Sequence, residues 1–163
     1  LKSENEALLK DTVHDPLTGL YNLRFLDKQL PAICTGFNSF TVFFFDIDDF
    51  GDFNKRYGHA GGDRVLTRLA HTLQDNLKTA DYVVRYGGDE DVAVIPNVNN
   101  NQITQIAFRL QEAFLKQGLN ITFGFATMNR ESSNWGPEIL PKTVEIANQE
   151  MLRIKQFKNQ AEI

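Results

Sequence analysis

The residues with chemistry to offer fall in two acidic stretches, Asp46-Ile47-Asp48-Asp49 and Gly87-Gly88-Asp89-Glu90-Asp91. Each follows a run of strand-forming residues. Carboxylates crowded at strand ends repel one another, so a fold that keeps them needs a cation or hydrogen-bond donors to balance them. Gly87-Gly88 between two apolar runs reads as the turn of a β-hairpin with an acidic tip, because glycine admits positive φ and lets a backbone or a phosphate come close. If the hairpin lies beside the first strand, Asp46 meets Asp89 and Glu90 at one end of the sheet. Such a set of hard oxygen ligands suits Mg²⁺ or Mn²⁺ carried with a triphosphate, and two ions roughly 3.5–4 Å apart would serve a phosphoryl displacement. The plain alternative is a solvated acidic patch. Asn54 and Asp63 together offer the donor and acceptors that guanine requires. Taken singly, Asp63 is more readily the N-cap of its helix. Lys155 is either a phosphate contact or an ordinary surface lysine.

Composition narrows the classes open to the chain. With 163 residues and 42% hydrophobic content it is long enough for one domain with a real core, into which thirteen Phe put much of the volume. A net charge of -4 and a pI near 5.4 exclude nucleic-acid binding through a broad basic face. Cys34, the single cysteine, leaves no disulfide framework and no cysteine-based metal site, which fits a reducing cytoplasm. The longest apolar run, Val42-Phe43-Phe44-Phe45, is far too short to span a membrane, and no signal-peptide pattern is present. A start at Leu1 without Met reads as a piece of a longer protein, whose other part would carry a sensor or a membrane anchor.

Hydrophobic spacing supplies the elements that must position the acids. Leu1 and Leu8, one heptad apart among helix formers, indicate a stalk helix or linker over residues 1–14, ahead of a domain over residues 15–163. Asp15-Pro16-Leu17-Thr18-Gly19-Leu20 has turn chemistry, and Asn22 reads as the N-cap of a helix with Leu23, Leu26 and Leu30 inward. Residues 39–46 are apolar without alternation, as expected of a central strand buried on both faces. A short helix over residues 49–57 ends at Gly58. Val65, Leu66, Leu69, Ala70, Leu73 and Leu77 then predict a long amphipathic helix opening near Asp63. Beyond the hairpin, roughly 82–95, Ile103, Ile106, Leu110 and Phe114 predict a further helix. Ile121, Phe123 and Phe125 alternate as a strand, and residues 141–157 form the last helix. This order predicts an α+β fold: a ferredoxin-like or palm βαββαβ core with a mainly antiparallel sheet, helices packed on it and an extra helix at each end.

Over nearly its whole length the sequence resembles the GGDEF family of bacterial diguanylate cyclase domains. The matching pieces are Asp15-Pro16-Leu17-Thr18-Gly19-Leu20-Tyr21-Asn22, Asp46-Ile47-Asp48-Asp49-Phe50, Asn54, Tyr57-Gly58-His59, Gly62-Asp63, Arg85-Tyr86-Gly87-Gly88-Asp89-Glu90 and Thr122-Phe123-Gly124. The resemblance implies condensation of two GTP molecules into cyclic di-GMP with release of pyrophosphate, across a homodimer in second-messenger signalling. It assigns the metal to Asp46, the Ile47 carbonyl and Asp89, guanine to Asn54 and Asp63, and phosphate to Lys155. It makes Asp89 and Glu90 the catalytic acids, with the part played by Glu90 in deprotonating the 3′-hydroxyl left open.

Several positions depart from the family pattern. Asp91 replaces the signature Phe and is expected to add a third carboxylate beside the metal ligands. Gly51 stands where a phosphate-contacting Lys is usual, and near the C-terminus Lys158 and Asn159 compete for the position of an Arg. Lys78-Thr79-Ala80-Asp81 stands for the Arg-x-x-Asp of the product-feedback site, a weakened version, since lysine lacks the guanidinium fork. Two readings follow: a cyclase with its inner ligands intact, or a degenerate domain that binds GTP, cyclic di-GMP or a protein partner without turnover.

Overall fold

A run of residues without polar alternation has to be covered on both sides, and in the computed structural model, which describes residues 12–79 and 81–161, this is where β1 (Ser39–Ile47) lies. From Phe40 onward every residue of β1 is buried. It pairs with β3 (Glu90–Pro96) on one side and β4 (Ile121–Asn129) on the other, and β2 (Tyr82–Arg85) completes the order β2-β3-β1-β4. All three pairings are antiparallel, which is the expected ferredoxin-like arrangement. The register sets Asp46 opposite Glu90 and Thr122, and Phe45 opposite Asp91 and Phe123.

Among the described residues five α-helices pack around the sheet: α1 (Leu23–Lys28), α2 (Leu30–Cys34), α3 (Phe50–Asn76), α4 (Asn100–Lys116) and α5 (Ile139–Ala161). Because side chains alternate along a strand, β1 feeds two cores. Phe43, Phe45 and Ile47 meet Leu66, Leu69 and Leu73 of α3 and Leu110 and Phe114 of α4. Phe40, Val42 and Phe44 meet Phe25, Leu26 and Leu30 on one flank and Leu140, Val144, Ala147 and Met151 of α5 on the other. Among the described residues no helix is long and apolar enough to cross a membrane. The stalk helix expected over residues 1–14 falls almost wholly on residues 1–11, outside the described residues.

Local signals hold with some corrections. Asn22 does cap α1, its side chain accepting from the Phe25 N–H at 3.0 Å. The inward residue beside Leu26 is Phe25, whereas Leu23 is 40% exposed. Pro31 falls in the first turn of α2, where a missing N–H leaves no hydrogen bond unmade. Gly58 ends the short helix as expected: with φ 76° and ψ 173° it is non-helical, and a second helix, continued here under the label α3, follows directly beyond it. Asp63 consequently lies inside α3 and is no N-cap.

Gly124 sits where α5 crosses β4 at backbone contact. A Cβ there would overlap the Met151 backbone nitrogen and lie 2.9 Å from the Ala147 carbonyl oxygen. Neither backbone atom can move without shifting the helix that carries Lys155. Gly124→Ala is therefore expected to lower the stability by about 2–3 kcal/mol in denaturant unfolding; an unchanged midpoint would show that α5 does not press on β4.

Candidate functional site

The hairpin turn is fastened to the end of β1 by main-chain bonds. The Ile47 N–H donates to the Asp89 carbonyl at 3.2 Å, and the Tyr86 and Gly87 N–H groups both donate to the Glu90 carbonyl, at 2.8 and 3.1 Å. Gly87 and Gly88 do not use positive φ, contrary to the turn expected from the sequence. A Cβ at Gly87 would stand 2.7 Å from Glu90 Oε1, the far end of a side chain that can turn aside. Around Gly88 there is nothing within 4 Å of such an atom, so the turn is open to an approaching group.

Two lysines from α5 meet the acids at the end of β1. Lys155 Nζ pairs with Asp46 and lies 4.0 Å from Asp48 Oδ1. Lys158 Nζ donates to Thr122 Oγ1 at 2.9 Å and to the Ile121 carbonyl at 3.3 Å, and stands 3.5 Å from Asp48 Oδ2. Thr122 in turn donates to Asp48 Oδ1 at 2.6 Å. Asp46 keeps one oxygen, Oδ1, buried without a hydrogen-bond partner. Burial raises the Asp46 carboxyl above its ordinary range; Lys155 opposes the shift and the charges of Asp89 and Asp48 add to it. Burial likewise raises Glu90, assisted by Asp46 and Asp89.

Among the described residues no group of three or more His, Cys, Asp or Glu is placed to hold a metal ion. The expected set of Asp46, the Ile47 carbonyl and Asp89 has only two carboxylates, and their setting fits a hard cation. Buried Asp46 Oδ1 lacks a donor, and neighbouring acids raise the cost of its charge.

Asp91 is not a third carboxylate beside these groups. It faces the same side as its β1 partner Phe45, toward α3 and α4, whereas Glu90 faces the α5 side with Asp46. One residue along a strand is the difference between faces. At 3% exposure, burial pushes the Asp91 carboxyl up to about 7 despite the charge of Arg85. Arg85, opposite Asp91 on β2, spends its guanidinium on Asp15, at 3.2 Å, and on the Gly88 carbonyl, at 2.9 Å. Asp15 also accepts from the Thr18 N–H and hydroxyl; these bonds and Arg85 outweigh its burial and hold its carboxyl below the usual range. Arg85 thus ties the early turn to the acidic hairpin, a link that spans 70 positions and has no local sequence signal.

The remaining site residues divide by location. The kink at Gly58 folds Gly62 directly onto Asn54, where a Cβ would overlap the Asn54 Oδ1, and so brings Asn54 to the turn that carries Asp63. Asn54 Oδ1 is buried without a hydrogen-bond partner, and Asp63 is exposed. Lys78 and Asp81 close a small turn: the Lys78 N–H donates to the Asp81 carboxylate at 2.8 Å and the Asp81 N–H to the Lys78 carbonyl at 3.0 Å. Arg109 on α4 donates to the Asn76 carbonyl at 2.6 Å, and its charge reaches Asp81. Thr122 stands in the Thr122-Phe123-Gly124 stretch singled out in the sequence, whereas Arg109 has no sequence signal and only packing brings it near Asp81.

With this geometry established, the comparisons with known proteins agree. The family described as "Diguanylate cyclase, GGDEF domain" matches residues 12–160. Diguanylate cyclase DosC of Escherichia coli (strain K12) is 32% identical over 114 residues, 68% of this chain and 25% of DosC. Response regulator PleD of Caulobacter vibrioides is 30% identical over 155 residues, 87% of this chain and 34% of PleD. The chain thus spans a quarter to a third of the length of these curated relatives. The crystal structure of the coiled coil and GGDEF domain of DgcB from Caulobacter crescentus in complex with c-di-GMP shares the fold, with a TM-score of 0.81 at 22% identity over 95% of this chain and 86% of that one.

The raised carboxyl of Asp91 gives the stability a pH dependence of known sign. Between about pH 4 and 7 the folded state keeps a proton that the unfolded chain has released, so this group's contribution falls as pH rises through that window and is constant above it. Asp91→Asn should remove the slope, with the variant gaining on the native protein by on the order of 4 kcal/mol above pH 7. Chemical unfolding at pH 4.5 and 8 is the check, and an equal difference at both would place the titration elsewhere.

Proposed function

The chain belongs to the GGDEF family of diguanylate cyclase domains, and on that footing we propose that it condenses two GTP molecules into cyclic di-GMP, working as a homodimer in bacterial second-messenger signalling. The observation that carries this reading is the meeting of Asp46, Asp89 and Glu90 at the carboxyl end of β1 beside Lys155, with the variant Asp91 turned to the opposite face. The inner acids therefore keep their surroundings, and a degenerate site is not favoured by the Asp91 substitution.

The residues divide the work as follows. Asn54 and Asp63 orient the guanine, the amide and carboxylate matching its donor and acceptor edge. Asp46, the Ile47 carbonyl and Asp89 would hold Mg²⁺ or Mn²⁺, which supplies charge neutralisation to the polyphosphate and the leaving pyrophosphate. Lys155 passes from Asp46 to phosphate as the nucleotide binds. The 3′-hydroxyl of one GTP attacks the α-phosphorus of the other, the bond to the β-phosphate oxygen breaks, and Glu90, whose carboxyl burial raises above its ordinary range, assists removal of the hydroxyl proton. Each chain has one such set, so the two nucleotides are presented by two copies facing each other, and the step occurs twice. Lys78 and Asp81 are the remnant of a product-binding site, weakened by the loss of the guanidinium fork.

The test is product formation from GTP and Mg²⁺ with the chain fused to a dimerising coiled coil. Cyclic di-GMP is expected from the native sequence, and Asp89→Ala should reduce it by at least roughly a hundredfold. Nucleotide binding without product would instead establish the degenerate domain. Separately, saturating Mg²⁺ or Mn²⁺ should raise the melting temperature of the native chain by roughly 5 °C and that of Asp46→Asn hardly at all. Equal shifts in the two proteins would place the metal elsewhere.

A further inference from the structure

We propose that the cleft between α1, α5 and the root of the acidic hairpin is a binding site for an organic cation, an alkylammonium or alkylguanidinium group of the size that ends a lysine or arginine side chain. Its inner wall is apolar: Leu26 of α1 and Leu140 and Val144 of α5 are all buried. Its mouth is not. Asp27 and Glu145, both exposed, stand over it from the two helices, and half-buried Tyr86 closes it from the hairpin side. The cavity measures about 130 Å³, well below the roughly 300–1,000 Å³ of a pocket that takes a whole cofactor. One side chain or one small amine fills it.

The charges around the cleft decide the sign of its ligand. Neither Asp27 nor Glu145 has an ion-pair partner among the described residues, and Glu145 accepts only a 3.3 Å bond from the neutral amide of Gln149. The Tyr86 ring packs edge-on against Phe44 with centroids 5.1 Å apart, so the core fixes where its hydroxyl points. Burial raises the pKa of that hydroxyl, and the charges of Glu90, Asp27 and Glu145 add to the shift with no cation opposing them. A cation on a short hydrocarbon stem answers both parts of the cleft: its methylenes cover the apolar wall, and its N–H donors meet the two carboxylates in charge-assisted bonds. An anion would add to the repulsion. The cleft adjoins the acidic hairpin, since the Tyr86 N–H donates to the Glu90 carbonyl at 2.8 Å, so an occupant rests on the residue that opens the Gly87-Gly88 turn. It needs neither GTP nor a second copy of the chain.

The experiment is a titration of the isotope-labelled chain followed by amide NMR, with n-butylguanidinium chloride, with N-butylurea as its neutral isostere, and with NaCl at matched ionic strength. The cation should move the amides of Tyr86, Gly87 and Val144 with a Kd on the order of 1 mM, and N-butylurea should bind at least about tenfold more weakly. The double variant Asp27→Asn, Glu145→Gln changes two exposed residues and leaves the apolar wall intact. It should lose about tenfold in affinity for the cation and bind the urea as the native chain does. The peptide acetyl-Gly-Arg-Gly-amide separates the two sources of such a group: binding tighter than that of n-butylguanidinium assigns the cleft to a basic residue of a partner protein, and equal or weaker binding assigns it to a free amine. Equal affinity for the guanidinium and the urea overturns the proposal, because the cleft would then be apolar only. Full cation affinity in the double variant overturns it too, as do shifts no larger than NaCl produces.

Discussion

Everything in this domain depends on the burial of β1 on both faces. A strand from Phe40 to Ile47 with no solvent-facing side cannot be at an edge, and it cannot slip by one residue without exchanging its two cores. That fixed register carries Asp46 to the α5 side, opposite Glu90 and Thr122, and carries Phe45 to the other side opposite Asp91. Apolar packing thereby decides which carboxylates meet. The acids themselves, which repel, could not have arranged it.

At the end of β1 the balance passes from packing to electrostatics. Four acids gather where the strand leaves the core, and two lysines from the last helix answer them. The helix can deliver these lysines because Gly124 lets its backbone lie directly on β4, so one glycine sets the height of both ammonium groups above the sheet. Asp46 remains only partly satisfied, with one buried oxygen lacking a donor. A buried acceptor left without a donor is expensive to keep for stability alone.

The hairpin is held from two directions. Main-chain bonds join Asp89 to Ile47, and the Arg85 guanidinium reaches from Asp15 to the Gly88 carbonyl, so the turn before α1 is tied to the acidic tip. Asp91 lies beneath that tip on the apolar face and takes up a proton because burial opposes its charge. Asp91 is therefore a matter of hairpin stability, on the opposite face of the sheet from Asp46 and Glu90.

Much of this was determined by the sequence alone. The unalternating run from Phe40, the period of Leu66, Leu69 and Leu73, and the two apolar stretches about Gly87-Gly88 establish the element order, and with it the βαββαβ sheet and the meeting of Asp46 with Asp89 and Glu90. These are local patterns whose period dictates the secondary structure. Other features needed the tertiary structure. Asp91 reads as one more acid in a row until strand alternation in a fixed register sends it to the far face. Asp63 reads as a cap until the kink at Gly58 places it within a helix. Lys158 and Asn159 read as rivals for one position until α5 settles on Gly124 and sets the Lys158 ammonium against Thr122 and Ile121. In each case the deciding quantity is the distance between residues far apart in the chain, or the side of the sheet a residue faces, and packing fixes both.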